Sequence, residues 1–237
     1  MESINLENIL FLDIETVPQT YDYEALDEET KHLFELKNRS YINEDKSGEL
    51  VYKDRGGIQS EFGKIICISV GMVKQTTLGK TIRIKSFAHD DELTLLTQFN
   101  RLLEDHYSEK ILCGHNAKEF DFPYLCRRML IHGIRLPKVL DISGKKPWEI
   151  KHLDTMELWK FGDYKAYTSL ALLCHIFQIP TPKDDISGAD VARVYYEEQN
   201  LERITKYCEK DVVALIQVYL RMRFEPLVEE ANITYVP

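Results

Sequence analysis

The chain has 237 residues, of which 44% are hydrophobic. It is long enough for one sizeable core, and we expect a single domain over residues 1–237. Its formal net charge of -9 excludes a protein that coats nucleic acid with a uniformly basic surface, because neutralising phosphates needs clustered Lys and Arg. An enzyme that presents phosphates to bound cations stays compatible with this charge.

The first elements in chain order predict a strand, an insertion and a hairpin. Residues 9–15 (ILFLDIE) are apolar strand formers, and Pro18 cannot continue the strand ladder. Residues 19–61 are polar, charged and rich in tyrosine, so we interpret them as an insertion with one helix near residues 24–36. Strands at 64–73 and 81–87 have a short connection, which favours an antiparallel pair.

The rest of the chain alternates between strands and helices. A capping box formed by Ser187 and Asp190 precedes one of the last two helices. Hairpin strands followed by such alternation predict an α/β fold, a mixed sheet with helices packed on it. The remaining predicted elements are helix 90–105, strand 111–113, helix 122–131, an extended segment 152–158, helix 168–177, helix 191–198 and amphipathic helix 201–223.

The cysteines and the apolar segments indicate a cytoplasmic protein without a membrane partner. No basic segment leads into an apolar one at the amino terminus, and the most apolar run, 65–73, is far too short to span a bilayer. The cysteines form no CxxC pair, so we expect small core residues in a reducing compartment. They are Cys67, Cys113, Cys126, Cys174 and Cys208.

Two carboxylates on the first strand form the first candidate motif. Asp13 and Glu15 are two residues apart, so their side chains emerge on the same face of the strand and can share a metal ion. Their neighbours are apolar, and burial of unpaired charge is costly without a cation. Acids at a strand end that merely face solvent are the alternative, and this motif alone does not exclude it.

Two further motifs follow at a strand end and on the last long helix. Asn116 lies in a turn after strand 111–113, and Asp121 opens the next helix, where the helix dipole favours a carboxylate. Both side chains can face the crevice at the carboxyl edge of the sheet, where ligands of α/β proteins tend to bind. Tyr207 and Asp211 are four residues apart and share one helical face.

Together these segments resemble the exonuclease motifs of the DEDD superfamily. The matches are DIE at 13–15, N-x-x-x-F-D at 116–121 and Y-x-x-x-D at 207–211. The tyrosine indicates the tyrosine subclass, since the other subclass has a histidine five residues before the final Asp, where this chain has Lys206. The runs EFGKIICISVG, CGHNAKEFDFPYLCRRM and YCEKDVVAL are similar to stand-alone proteins related to the proofreading exonuclease domain of family-B DNA polymerases.

This resemblance implies a ribonuclease H-like mixed β-sheet flanked by helices and hydrolysis from the 3' end that releases nucleoside monophosphates. Two divalent cations, Mg²⁺ or Mn²⁺, suit the hard oxygen ligands. Asp13 would bridge both ions, and Tyr207 would orient the attacking water. The metal ligands implied by the family are Asp13, Glu15, Asp121 and Asp211, and the same four residues with Tyr207 form the implied catalytic set.

The resemblance also implies a substrate but leaves alternatives. Asn116 and Phe120 are the expected substrate contacts, and a single-stranded 3' end is the expected partner, with DNA favoured over RNA. An RNA 3'-end trimming enzyme uses the same chemistry, and a nucleic-acid-binding module without catalysis is a different class. No protein partner is indicated. Asp154 is either an acid behind the site or a structural hydrogen-bond acceptor, and Lys183 lies in a loop where a cation could meet phosphate.

Overall fold

A computed structural model describes residues 4–163, 165–180 and 186–236. Its centre is a six-stranded sheet in the order β5-β4-β1-β2-β3-β6. The β1–β2 and β2–β3 pairs are antiparallel, and the β1–β4, β4–β5 and β3–β6 pairs are parallel, which confirms the predicted mixed sheet. The strands are β1 (Ile9–Pro18), β2 (Gly63–Thr76), β3 (Gly79–Ala88), β4 (Ile111–Gly114), β5 (Leu153–Asp154) and β6 (Ile233–Val236).

Helices cover both faces of this sheet. On one face, α3 and α4 pack on apolar side chains of β1 and β2 such as Leu12 and Ile68. On the other face, α8 packs on β1, β2 and β3, and the ring of Tyr219 meets that of Phe11 edge-on at 5.4 Å. The helices are α1 (Glu28–Asn38), α2 (Gly48–Arg55), α3 (Glu92–His106), α4 (Asp121–Ile131), α5 (Thr155–Lys160), α6 (Leu170–Ile176), α7 (Val191–Tyr196) and α8 (Leu201–Met222).

The predicted order of elements is confirmed, with four differences in detail. The β1 strand continues past residue 15 to Pro18, after a register shift between Glu15 and Thr16. Segment 19–61 contains two helices rather than one. Predicted segment 152–158 is extended only at β5, because the Asp154 side chain caps α5 directly afterwards. The edge strand β6 has no counterpart in the prediction.

Segment 19–61 leaves the sheet and returns to it at one place. Pro18 at the end of β1 is opposite Gly63 at the start of β2, and the Gln19 amide donates a hydrogen bond of 2.8 Å to the carbonyl of Phe62. Between these points the segment has its own small hydrophobic cluster. Its buried members are Tyr23, Phe34, Val51 and Tyr52.

A buried ion pair fixes α4 against α3 and β2. Arg128 donates from Nε to Glu92 Oε1 at 2.9 Å, and Glu92 also accepts from the Ile65 amide at 2.7 Å. Arg128 further donates to the carbonyl of Ser60 at 2.9 Å. With 2% exposure, Arg128 is part of the core rather than of a basic surface. In the part of the chain that the structure describes, no helix is long and apolar enough to cross a bilayer.

Candidate active site

The first two acids lie where β1 projects beyond its parallel neighbour. The β1–β4 pairing ends at Phe11 opposite Cys113, and β4 itself ends at Gly114. Asp13 therefore lies past the carboxyl end of β4, and Glu15 lies two residues further along the same face. This edge of an α/β sheet is where ligands tend to bind, because neighbouring strands end there and leave a crevice.

Helix α8 brings a thiol to these two acids. The ligand atoms of Asp13, Glu15 and Cys208 all lie within 4.8 Å of one another. The Cys208 Sγ is 3.4 Å from Asp13 Oδ2 and 3.5 Å from the Asp13 carbonyl oxygen. Sequence reasoning placed Cys208 in the core, which is correct, but missed its contact with Asp13. Its position three residues before Asp211, on the same side of α8, was the available signal.

Asp121 reaches the same crevice from the start of α4. Asp121 is 4% exposed, and the backbone amide of Ile14 on β1 is one of the groups that lower the pKa of its carboxyl. As the first residue of α4, it also lies at the positive end of the helix dipole. The predicted position at a helix start is therefore confirmed, and the influence of the Ile14 amide places Asp121 near the strand of Asp13.

Tyr207 and Asp211 lie on the face of α8 that adjoins the acids. Their side chains are half-buried, and the charge of Asp211 acts on the Tyr207 hydroxyl. The charges of Asp13 and Glu15 act on the Tyr207 hydroxyl, and the charge of Asp211 acts on both acids. Four carboxylates and one phenol from three distant segments thus form one electrostatically coupled cluster.

Burial and mutual repulsion shift the pKa values of these groups. Desolvation, followed by the charges of Asp121 and Asp211, raises the pKa of Asp13 well above its ordinary range. Desolvation and the charge of Asp13 do the same to the pKa of Glu15. Burial raises the pKa of Asp121 to about 7. Desolvation and the charge of Asp211 hold the pKa of Tyr207 far above that of a free tyrosine, so the phenol stays protonated.

This electrostatic arrangement fits divalent cations with hard oxygen ligands. The carboxyls of Asp13, Glu15 and Asp121 resist ionisation in this cluster, and bound cations would favour their charged forms by offsetting the repulsion. Burial and a hydrogen bond with Cys67 raise the pKa of the Cys208 thiol well above its usual value, so this sulfur remains a protonated donor to Asp13. The atoms available as metal ligands are therefore carboxylate oxygens, which Mg²⁺ and Mn²⁺ prefer.

Asp154 holds the loop that leads to Asp121. Its buried carboxylate accepts hydrogen bonds from the amides of Asn116 and Lys118, both at 3.0 Å, and from those of Met156 and Glu157 at 2.9 and 3.3 Å. These contacts give Asp154 the structural role that was one of its two predicted alternatives. The acid connects the turn after β4 to the first turn of α5.

The two predicted substrate contacts both belong to this loop. Asn116 has a left-handed backbone with φ of 61°, which Asn tolerates better than most residues. Phe120 immediately precedes α4, and its partly buried ring packs 5.4 Å from that of Tyr124. At Gly114 a side chain is excluded, because a Cβ there would lie 2.3 Å from the Cβ of Ala117. Lys183 falls outside the described residues.

Comparison with known proteins identifies the family of this chain. The sequence model of a family described as a predicted 3'-5' exonuclease related to the exonuclease domain of PolB matches residues 58–231. The chain belongs to this family, as the resemblance predicted. The match contains the second and third motifs and begins after Asp13 and Glu15. The proximity of these two acids to the others is therefore shown by the structure and not by the family match.

A solved structure supports the same fold. The family B DNA polymerase from the hyperthermophilic archaeon Pyrobaculum calidifontis is similar to this chain with a TM-score of 0.56 and 16% sequence identity. The similarity covers 91% of this chain and 24% of the polymerase chain, so this chain corresponds to about a quarter of that protein. The ribonuclease H-like fold, a mixed six-stranded sheet flanked by helices, is thereby confirmed.

Proposed function

We propose that this protein is a metal-dependent 3'-5' exonuclease that hydrolyses phosphodiester bonds at the 3' end of single-stranded nucleic acid and releases nucleoside monophosphates. The observation that carries the proposal is the convergence of four carboxylates and one tyrosine, from three segments of the chain, at the carboxyl edge of the sheet. Membership of the exonuclease family supports the reaction type. A binding module would have no chemical need for this set of side chains.

Two divalent cations, Mg²⁺ or Mn²⁺, are the proposed cofactors. Asp13 is the proposed bridging ligand, because the charges of both Asp121 and Asp211 act on it and its contact with Glu15 is close. Glu15 and Asp211 would complete one ion's ligands, and Asp121 would hold the other. Such a pair activates a water and stabilises the leaving oxygen of the phosphodiester. The acidic balance of the chain makes substrate binding dependent on these cations.

Tyr207 is the proposed orienting group for the attacking water. Its raised pKa keeps the phenol protonated at neutral pH, so it acts through a positioned hydroxyl rather than as a general base. The nearby Asp211 carboxylate and the packing of the ring against the buried cluster around Val191 and Ile204 restrict the position of that hydroxyl. Asn116 and Phe120, in the loop before Asp121, are the proposed contacts to the terminal nucleotide.

Single-stranded DNA is the proposed substrate, and RNA is the alternative that the assay must separate. The family's relation to the PolB exonuclease domain favours DNA. The test uses single strands of DNA and RNA with one sequence, each labelled at the 5' end and carrying a free or a blocked 3' hydroxyl. Reactions contain Mg²⁺, Mn²⁺ or a chelator.

We expect stepwise shortening of the unblocked DNA from its 3' end, only with metal present. Asp13→Asn should abolish it, whereas Glu104→Gln, which neutralises an exposed acid on α3, should not. Activity that survives the chelator, or equal degradation of blocked and unblocked strands, would refute the proposal. Faster shortening of the RNA would leave the reaction type intact and reassign the substrate.

We also propose that residues 1–237 form a single exonuclease domain and that residues 19–61 are an insertion into it. The adjacent exit and return points at Pro18 and Gly63 support this division, as does the separate cluster around Phe34. Limited proteolysis should cut within 19–61 before it cuts the sheet. Cleavage at another place between β1 and α8, before any cut within 19–61, would contradict the division.

A further inference from the structure

The connection between α5 and α6 exposes two large aromatic side chains. Phe161 is 88% exposed and Tyr167 is 64% exposed. Phe161 directly follows α5 with a left-handed backbone (φ 45°, ψ 33°), so the chain turns sharply there and directs the ring outward. A single exposed ring needs no explanation of its own, so these two are distinguished by their place in the fold.

Two contacts fix this connection beside the loop that leads to Asp121. The Lys160 Nζ lies 4.2 Å from the centre of the Tyr167 ring and 3.8 Å from Glu119 Oε1, two residues before Asp121. His115 Nε2, one residue before Asn116, donates to the carbonyl of Thr168 at 2.9 Å. Because both anchors reach the same loop, Tyr167 lies beside the segment that leads to Asp121, and we call this surface the rim.

The chemistry of this rim suits unpaired bases. Lys160 covers one face of the Tyr167 ring, and only 11% of its side chain is exposed, so the cation is held in place. The exposed remainder of the ring is available for contact. Every base has a π-face, and stacking on aromatic side chains is the sequence-tolerant way in which proteins hold single strands.

An exposed phenylalanine alone does not define such a place. Phe224, which follows α8, is 98% exposed and also left-handed, with φ of 57°. It lies 13 residues after Asp211, a distance of about 20 Å along a helix. Phe161 differs from it because it directly follows Lys160, whose ammonium group contacts both Tyr167 and Glu119. Phe224 is therefore a matched control of the same residue type and backbone conformation.

We propose that Phe161 and Tyr167 form a stacking surface for unpaired bases upstream of the 3'-terminal nucleotide. This inference rests on the proposed exonuclease function. The terminal nucleotide occupies the carboxylate cluster, and the strand behind it passes over the rim at Tyr167 and Phe161. Removing either ring weakens the binding of longer strands and leaves the reaction at a single nucleotide unchanged.

The experiment compares a one-nucleotide substrate with strands of increasing length. The p-nitrophenyl ester of thymidine 5'-monophosphate reports on the carboxylate cluster without upstream bases. Single-stranded oligothymidylates of two to ten nucleotides report on the rim. Tyr167→Ala and Phe161→Ala are measured beside the wild-type protein and Phe224→Ala, with Asp13→Asn to show that ester hydrolysis belongs to the proposed site.

We expect each rim variant to raise KM for the ten-nucleotide strand about 5- to 10-fold, the low end of the range for one stacked base. The value of kcat, hydrolysis of the ester and all parameters of Phe224→Ala should stay unchanged. For the wild-type protein, strands with abasic upstream positions should have a KM raised by a similar factor. In the rim variants the abasic positions should raise KM little further, because the contact between ring and base is already lost.

The possible failures are distinguishable. Unchanged KM for long strands in both rim variants would overturn the stacking surface while metal-dependent ester hydrolysis upheld the proposed function. A parallel loss of ester hydrolysis in the rim variants would also overturn it, because the effect would then lie in the cluster or the fold. If the wild-type protein hydrolyses neither thymidine substrate but shortens RNA, the same comparison is made with the uridine ester and oligouridylates. If it shortens neither DNA nor RNA, the proposed function is wrong and the stacking surface is rejected with it.

Discussion

Replacing Asp121 with Asn should stabilise the metal-free protein at alkaline pH. Burial raises the folded-state pKa of Asp121 to about 7, whereas an Asp in the unfolded chain titrates near about 3.9. Below pH 4 both states are protonated, and the group contributes nothing. Between pH 4 and 7 the unfolded state loses its proton first, so ionisation favours unfolding and stability falls as pH rises.

The size of this effect follows from the shift in pKa. A difference of roughly 3 units at about 1.36 kcal/mol per unit corresponds to about 4 kcal/mol above pH 7. Asp121→Asn removes this cost, because an amide does not ionise. The variant should therefore match the wild-type protein at pH 4 and exceed its free energy of unfolding by up to about 4 kcal/mol at pH 8.

Urea denaturation in the presence of a chelator, repeated from pH 4 to 8, measures this dependence. Asp91→Asn on the α3 cap is a control of opposite sign. Hydrogen bonds from Thr94 lower the pKa of Asp91, so the ionised side chain stabilises the folded protein at neutral pH, and this stabilisation is lost as pH falls. Destabilisation by Asp121→Asn at pH 8, or an effect of equal size at pH 4, would refute the account of a cluster strained by burial and repulsion.

Four other substitutions separate the roles of residues around the cluster. Asp13→Asn should remove nearly all turnover, whereas Tyr207→Phe should lower the rate by at most about 10²- to 10⁴-fold. Single-turnover rates measure both effects, and thermal melting is the folding control. Wild-type turnover in Asp13→Asn would contradict the metal site. Asp154→Asn should lower the free energy of unfolding by about 2 kcal/mol in urea, because at least one charge-assisted bond to the Asn116–Lys118 turn is lost. Cys208→Ala should slow turnover by no more than about tenfold, since it removes one weak hydrogen bond to Asp13; a loss as large as that of Asp13→Asn would make the thiol essential.

The sequence predicted the parts of the fold that have a strong local signal. The apolar run ending in Asp13 and Glu15, the long amphipathic α8 and the hairpin of β2 and β3 all form where their periodicity indicated. The pairing of β6 with β3 was missed because four residues at an edge have little pattern of their own and depend on tertiary contacts. Helix α5 was missed because its start depends on the Asp154 cap.

The candidate site was predictable as a set of residues but not as an arrangement. Spacing alone indicated that Asp13 shares a strand face with Glu15 and that Tyr207 shares a helix face with Asp211. It also indicated that Cys208 lies on the same side of α8 as Asp211, but the contact with Asp13 depends on how α8 crosses β1. The charges of distant segments raise the pKa values of Asp13 and Glu15, so the electrostatics of the cluster require the folded chain.

The cluster of acids lowers the stability of the protein, although the fold itself does not depend on it. The sheet around Asp13 and Glu15 is packed on both faces by apolar side chains, and replacing the acids would not disturb that packing. Their burial lowers stability without a compensating cation, as the raised pKa values of Asp13 and Glu15 indicate. Divalent cations would turn this cost into binding free energy, because each ion bound by the folded chain stabilises it by mass action. Stability should therefore rise with Mg²⁺ or Mn²⁺ concentration in the wild-type protein, and this rise should be smaller in Asp13→Asn.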